Sequence, residues 1–208
     1  MSRLYHSEPV FALHHKIVYH TLYMKEADAN QEHLKSLILS AKSGDNQAFE
    51  EVYTSYYTPV YRYILGRIKN RDEAEDMTQT VFIKIWTYIP NWNTSHTSPL
   101  SFFFTVARNT LIDHYRKNSH REIVSDEIVY GSMGSDTSAD KLSDYGELKT
   151  TMVEAVSKLS EEQQEIVRLY YTNDLTYKEI SEILGKREDA IRQMHSRAIK
   201  RLREIYKY

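Results

Sequence analysis

The chain holds nine histidines and 29 carboxylates, yet none stands at a spacing that would converge on one metal ion or one reacting atom. No His-Glu-x-x-His pair occurs, and no glycine-rich phosphate loop or nucleophile elbow. The lack of cysteine removes disulfides, thiolate zinc sites and thiol nucleophiles. A helical enzyme working through His and carboxylates therefore has no residues to point to, and no catalytic residue, metal or cofactor is expected. What does cluster is charge. Asp72-Glu73-Ala74-Glu75-Asp76 packs four carboxylates into five residues, with Gln79 and Thr80 a turn further on. Arg108, Asn109, Tyr115, Arg116 and Lys117 mix cations with an aromatic, and Asn91, Trp92 and Asn93 precede them in a polar stretch. From Gly185 to Tyr208 eight bases stand against three acids, whereas the whole chain has a net charge of -2.

Each cluster has a chemical and a plain structural reading. Carboxylates in a first helical turn complement the macrodipole, which alone would explain them. As an exposed stripe they also suit docking by a basic partner helix. Cations interleaved with aromatics suit single-stranded DNA, where bases stack and Arg pairs with phosphate. A lone Tyr or Trp is otherwise a packing residue. A run of bases is ordinarily a solvated face, but here it coincides with a helix-turn-helix pattern. A protein that held duplex DNA alone would carry more positive charge than this one. Either nucleic acid is not the partner, or the basic patches are local and another component shares the binding; the local counts favour the second.

The elements that must position these residues read as helices throughout. Only six Gly and four Pro occur, and apolar residues make up 41 % of the chain, which argues against a loop-rich β fold and against general disorder. Leu34, Leu37, Ile38 and Ala41 repeat at helical spacing and Gly44 closes that run. Asp45 caps a second helix whose apolar line is Ala48, Phe49, Val52, Tyr53, Tyr56, Val60, Tyr63, Ile64 and Ile68, with a kink or break expected at Thr58-Pro59. A third runs from about Asp72 to Ile89, burying Ala74, Met77, Val81, Phe82 and Ile85, and Pro90 stops it. After a polar loop at 91–99, a fourth runs from about Leu100 to Lys117 with Phe103, Val106, Ala107, Thr110 and Leu111 inward. Residues 118–146 lose periodicity and read as a mobile linker.

Helical pattern resumes near Glu147. Ser160 with Gln163, and Thr176 with Glu179, are two capping boxes. Asn173-Asp174 makes a turn, and Gly185 ends the Tyr177–Leu184 helix where a left-handed residue is needed. A longer basic helix follows, burying Ala190, Ile191, Ala198 and Leu202. That succession is the geometry that lays a recognition helix in the major groove. The expected fold is all-α: two small helical domains, 31–117 and 147–208, joined by the flexible linker 118–146. Residues 1–30 form an N-terminal extension. Residues 1–23 lack caps and periodicity, so either translation begins at Met24 or this segment is disordered; it resembles neither a signal peptide nor a membrane anchor.

Four segments resemble the sigma-70 family of RNA polymerase sigma factors. Arg71–Phe82 is similar to the core-binding helix of the family's second domain, and Phe104–Lys117 to the helix after it. Leu159–Gln163 and Leu175–Gly185 are similar to its fourth domain. The long segments of housekeeping relatives are missing, which points to the extracytoplasmic-function (ECF) subfamily. The resemblance implies a cytoplasmic alternative sigma factor that joins bacterial core RNA polymerase and directs it to promoters. It implies core binding through Asp72, Glu75, Asp76 and Gln79. It implies capture of the melting -10 element, with a flipped base, by Asn91, Trp92, Asn93, Arg108, Asn109, Tyr115, Arg116 and Lys117. It implies duplex reading of the -35 element by Thr176, Tyr177, Lys186, Arg187, Arg192, Gln193, Ser196, Arg197 and Lys200. An anti-sigma factor is an expected partner, and stable membrane insertion is not expected. The rival reading is a conventional helix-turn-helix regulator that acts on duplex DNA without polymerase.

Overall fold

A computed structural model describes residues 31–68, 70–92, 97–119 and 153–206, all of them in helices or short connections. The N-terminal extension 1–30, residues 120–146 of the expected linker, residues 147–152 after it, and Asn93 lie outside the described residues; the first two residues of the expected linker, 118–119, fall in the fourth long helix. Helix α1 spans 31–42. It is followed by α2 (Asn46–Leu65), α3 (Arg71–Tyr88), a 3-10 turn (Ile89–Asn91) and α4 (Pro99–Ser119). After the linker come α5 (153–157), α6 (Glu161–Tyr171), α7 (Tyr177–Leu184) and α8 (Glu188–Tyr206).

The caps explain the boundaries. Asp45 accepts from the Gln47 and Ala48 amides at 2.9 and 3.2 Å, and Asn70 from those of Asp72 and Glu73. Pro99 opens α4, a position where its missing N–H costs nothing, and the Ser98 Oγ accepts from the Ser101 amide at 3.2 Å. Both predicted capping boxes form, at Ser160/Gln163 and Thr176/Glu179. Gly185 closes α7 at φ 62°, and Asp174 takes the left-handed turn before it at φ 53°.

Of the kink or break expected at Thr58-Pro59, the break does not occur: helix α2 continues through Pro59. Pro59 leaves the Ser55 carbonyl without its helical donor, but Ser55 is exposed to solvent, while Val60 is buried and the Tyr56 ring meets Phe103 edge-on at 5.7 Å. Packing on the inner side holds the helix across the gap. Helix α3 ends at Tyr88, just before Pro90 as expected, and a 3-10 turn then carries Ile89 into the core with Pro90 inside that turn.

The predicted inner faces of α3 and α4 are buried residue for residue. In the second helix Tyr53 instead lies partly exposed, against Phe82 and Tyr57. One apolar cluster runs from Leu34, Val52 and Ile64 through Phe82, Phe103 and Phe104 to Ile166, Leu169, Ile180 and Ile191. Helix α4 packs on α7, so the core is continuous between the N-terminal and C-terminal helices. Among the described residues no helix is long and apolar enough to cross a membrane.

Candidate nucleic-acid and protein interfaces

Helix α3 separates two faces. Ala74, Met77, Thr78, Val81, Phe82 and Ile85 are inward. Asp72, Glu75, Asp76 and Gln79 are all exposed, on the opposite side. The same stripe continues one and two turns on into Ile83, 67 % exposed, and Trp86, 40 % exposed. Trp86 leans on Phe49 of α2 with ring centroids 4.6 Å apart. An acidic patch that runs into uncovered apolar side chains is the composition of a protein-docking surface. Sequence reading missed Ile83 and Trp86, although their spacing from Gln79 places them on that face.

The residues expected to meet a melted strand are less uniform. Asn109, Arg116 and Lys117 are exposed, and Arg116 pairs with Asp113 at 3.0 Å. Arg108 is half-buried near Tyr63. Tyr115 is half-buried, and its hydroxyl donates to the Arg67 carbonyl at 2.6 Å. Trp92 is 8 % exposed and stacks on Phe102 at 5.2 Å, and its carbonyl accepts from the Lys42 ammonium. In this conformation the Trp92 ring serves packing and is not offered to a base, while Asn91 is exposed beside it.

The helix-turn-helix places Arg192, Gln193, Ser196, Arg197 and Lys200 on the outer face of α8, all exposed. Ile191, His195 and Ala198 point inward. Of the inward positions expected for this helix, Ala190 and Leu202 are half-buried. The Thr176 hydroxyl is engaged in the α7 cap, where it accepts from the Glu179 amide at 3.2 Å. Lys186 pairs with Glu162 at 2.9 Å and Arg187 with Asp189 at 3.0 Å.

Arg192 has the most organised surroundings. Its guanidinium lies 4.6 Å from the centroid of the Tyr177 ring and donates from Nε to Glu188 at 3.1 Å. Tyr177 stacks on Tyr170 at 4.9 Å, and its hydroxyl lies 3.0 Å from His195 Nδ1. Burial, with Tyr170 beside it, pushes the Tyr177 phenol above its ordinary range. Burial also pulls the His195 imidazole down to about 4. His195 is not among the inward residues expected for this helix, although its spacing from Ile191 and Ala198 places it on their face.

The chain matches two family models: Sigma-70 region 2 over residues 52–121 and Sigma-70, region 4 over residues 155–204. It is 31 % identical over 157 residues to the ECF RNA polymerase sigma factor SigM of Bacillus subtilis, covering 76 % of this chain and 94 % of SigM.

The chain belongs to the ECF RNA polymerase sigma factors.

It is also 27 % identical over 183 residues to the sigma factor BldN of Streptomyces coelicolor, covering 86 % of this chain and 68 % of BldN. The fold is shared with two solved structures. CnrH, solved with the cytosolic domain of CnrY, has a TM-score of 0.61 at 16 % identity, covering 84 % of this chain and 97 % of CnrH. RpoE, solved with the anti-sigma factor NepR from Bartonella quintana, has a TM-score of 0.55 at 20 % identity, covering 76 % and 96 %. The sigma-factor regions coincide with the two surfaces described above. Region 2 spans the exposed stripe of α3 and the whole of α4, and region 4 spans α6, α7 and the outer face of α8 up to Glu204. A regulator acting without polymerase has no use for the region 2 match, which decides against that rival.

Proposed function

We propose that this chain is an alternative sigma factor that binds bacterial core RNA polymerase in the cytoplasm and directs it to specific promoters, contributing recognition and no catalysis of its own. The observation that carries the reading is the pairing, in one ECF family member, of an exposed carboxylate stripe on α3 with an outward-facing basic row on α8. Asp72, Glu75, Asp76 and Gln79, extended by Ile83 and Trp86, form the surface for the polymerase. Arg108, Asn109, Arg116, Lys117 and the loop at 91–98 take the -10 strand. Arg192, Gln193, Ser196, Arg197 and Lys200 read the -35 duplex, and Lys186 and Arg187 hold its backbone. The machine supplies most of the positive charge that a chain of net charge -2 lacks. RpoE is solved with an anti-sigma factor, and an anti-sigma partner is proposed here too.

Transcription by purified bacterial core polymerase on a genomic promoter library tests the reading. Addition of this chain is expected to yield a distinct set of start sites sharing -10 and -35 elements. The Asp76→Lys variant is expected to bind core polymerase more weakly while its circular dichroism stays unchanged. Unaltered core affinity would remove the α3 stripe from the account.

A further inference from the structure

Arg192 opens the outward row of α8, and its guanidinium is held from two sides. It lies over the Tyr177 ring, 4.6 Å from the centroid. Glu188, one turn back on α8, accepts from Nε at 3.1 Å and, through the same oxygen, from Nη2. One face of the guanidinium is thus against a ring and its Nε edge against a carboxylate. Neither contact engages Nη1, so the edge that Nη1 shares with Nη2 is the one left for a base. That edge is a planar fork of two donors, the shape that reads a base edge in the major groove. Among the described residues, no ring lies under Arg197 or Lys200 further along the same row.

Tyr177 is itself fixed by three helices. It is the first residue of α7, behind the Thr176 cap and its capping box with Glu179. From α6, Tyr170 stacks on it at 4.9 Å with 19° between the planes, so Arg192 takes the face that Tyr170 leaves. From α8, His195 Nδ1 lies 3.0 Å from its hydroxyl, and the His195 ring lies 4.7 Å from Tyr170 and 5.5 Å from Tyr171. The hydroxyl is therefore engaged with a buried imidazole. A free arginine loses rotamer freedom when it docks, and one already held in place loses less.

The family resemblance counts Tyr177 among the residues that touch the -35 duplex. The geometry points to a different role: Tyr177 is a positioning residue that acts on the -35 element through Arg192 and sets how sharply one base pair is discriminated. Its ring face is the working part, and its hydroxyl anchors that ring to His195. The inference rests on the reading of α8 as the helix that meets the -35 element.

Holoenzyme assembled from bacterial core polymerase and the full chain is assayed on promoters with randomised -35 positions, and the preference at each position is read as a ratio of transcript yields. Arg192→Ala identifies the base pair that Arg192 meets, as the position whose preference is lost. Tyr177→Leu is expected to lower the preference at that same pair about two- to five-fold, the range of an exposed cation–π contact, and to leave the other positions unchanged. Tyr177→Phe keeps the ring face and is expected to keep the preference. In the Arg192→Ala background, Tyr177→Leu is expected to add nothing at that pair, as for two residues acting through one contact. Should Tyr177→Leu lose helix content, Tyr177→Met replaces it as a ring-free side chain of similar reach.

A ring that merely supports the fold would lower yields on every -35 sequence alike and leave the ratios unmoved. A hydroxyl that binds phosphate would lower them alike in Tyr177→Phe and flatten the salt dependence. Either result overturns the inference, as does an Arg192→Ala variant that keeps every preference. Core binding is measured separately, and its absence sinks the sigma-factor reading. The same ratios are then read from duplexes selected by the full chain alone, where a chain without base preference overturns the positioning role as well.

Discussion

His195 is an imidazole on α8 that points into the fold, away from the exposed basic row of that helix. It lies among Tyr170, Tyr171 and Tyr177, and its Nε2 is buried without a partner. The likeness of α8 to a basic helix hid this, because His reads as polar while its ring packs as an aromatic. The consequence is a pH-dependent stability with a definite sign. Above pH 6.5 the imidazole is neutral in both states. Between its ordinary value of 6.5 and about 4 the unfolded chain takes up a proton that the folded chain refuses. Stability contributed by the neutral ring is therefore full above 6.5, falls as the pH drops, and levels off below about 4, with a slope of at most about 1.4 kcal/mol per pH unit. Thermal melts at pH 7.5 and 5 are expected to differ more for the unaltered protein than for His195→Gln; equal differences would place the imidazole in solvent. Through Tyr177 the same cluster seats Arg192. Arg192→Ala is expected to weaken -35-dependent promoters by about 1–3 kcal/mol, the worth of one good base contact. Equal transcription from intact and scrambled -35 elements would refute the assignment.

At the scale of the element, nearly everything set by local chemistry was legible. Caps at Asp45, Ser160 and Thr176 and the left-handed Gly185 depend on residues within four positions of each other, so a linear reading reaches them. The inner faces of α3 and α4 followed from their period. What escaped depended on neighbours distant in sequence. Helix α2 survives Pro59 because Phe103 and the core support it, and Trp92 is buried because Phe102 comes round to stack on it. For the candidate site, the α3 stripe comes from helical period and the outer row of α8 from the family resemblance, and both rows are exposed, whereas the surroundings of Arg108 and Tyr115 are made by Tyr63 and Arg67. Gly185 gives a direct test of local coding. At φ 62° an added Cβ meets nothing within 4 Å, so Gly185→Ala carries a backbone cost alone. That cost is about 1 kcal/mol, to be read as a lowered urea midpoint with unchanged slope. No loss of stability would mean that the turn relaxes out of the left-handed region.

For the whole molecule, the sequence suggested two small helical domains joined by a flexible linker, and in the structure helices from both sides of that linker share one apolar cluster. A linear reading could not see this, because the ion pair of Arg67, just after α2, with Glu165 on α6 joins residues far apart in sequence. Arg168 on α6 adds to the positive field at Glu165, but the paired guanidinium comes from the opposite half. Breaking one partner of a buried pair leaves the other unpaired, at a cost of about 3–5 kcal/mol, comparable to the whole stability of a small domain. The two halves should therefore unfold together. The two tryptophans, Trp86 and Trp92, both lie in the N-terminal helices, so their fluorescence follows that half alone, whereas far-ultraviolet circular dichroism follows every helix. Coincident thermal transitions by the two probes are expected for the unaltered chain, as two-state unfolding requires. In Glu165→Gln the dichroism is expected to broaden or divide while tryptophan fluorescence keeps a single step, since the C-terminal helices, with their shorter apolar faces, lose the surface they rest on. Transitions that already diverge in the unaltered chain would show that the shared core contributes little, and that polymerase meets two domains already apart.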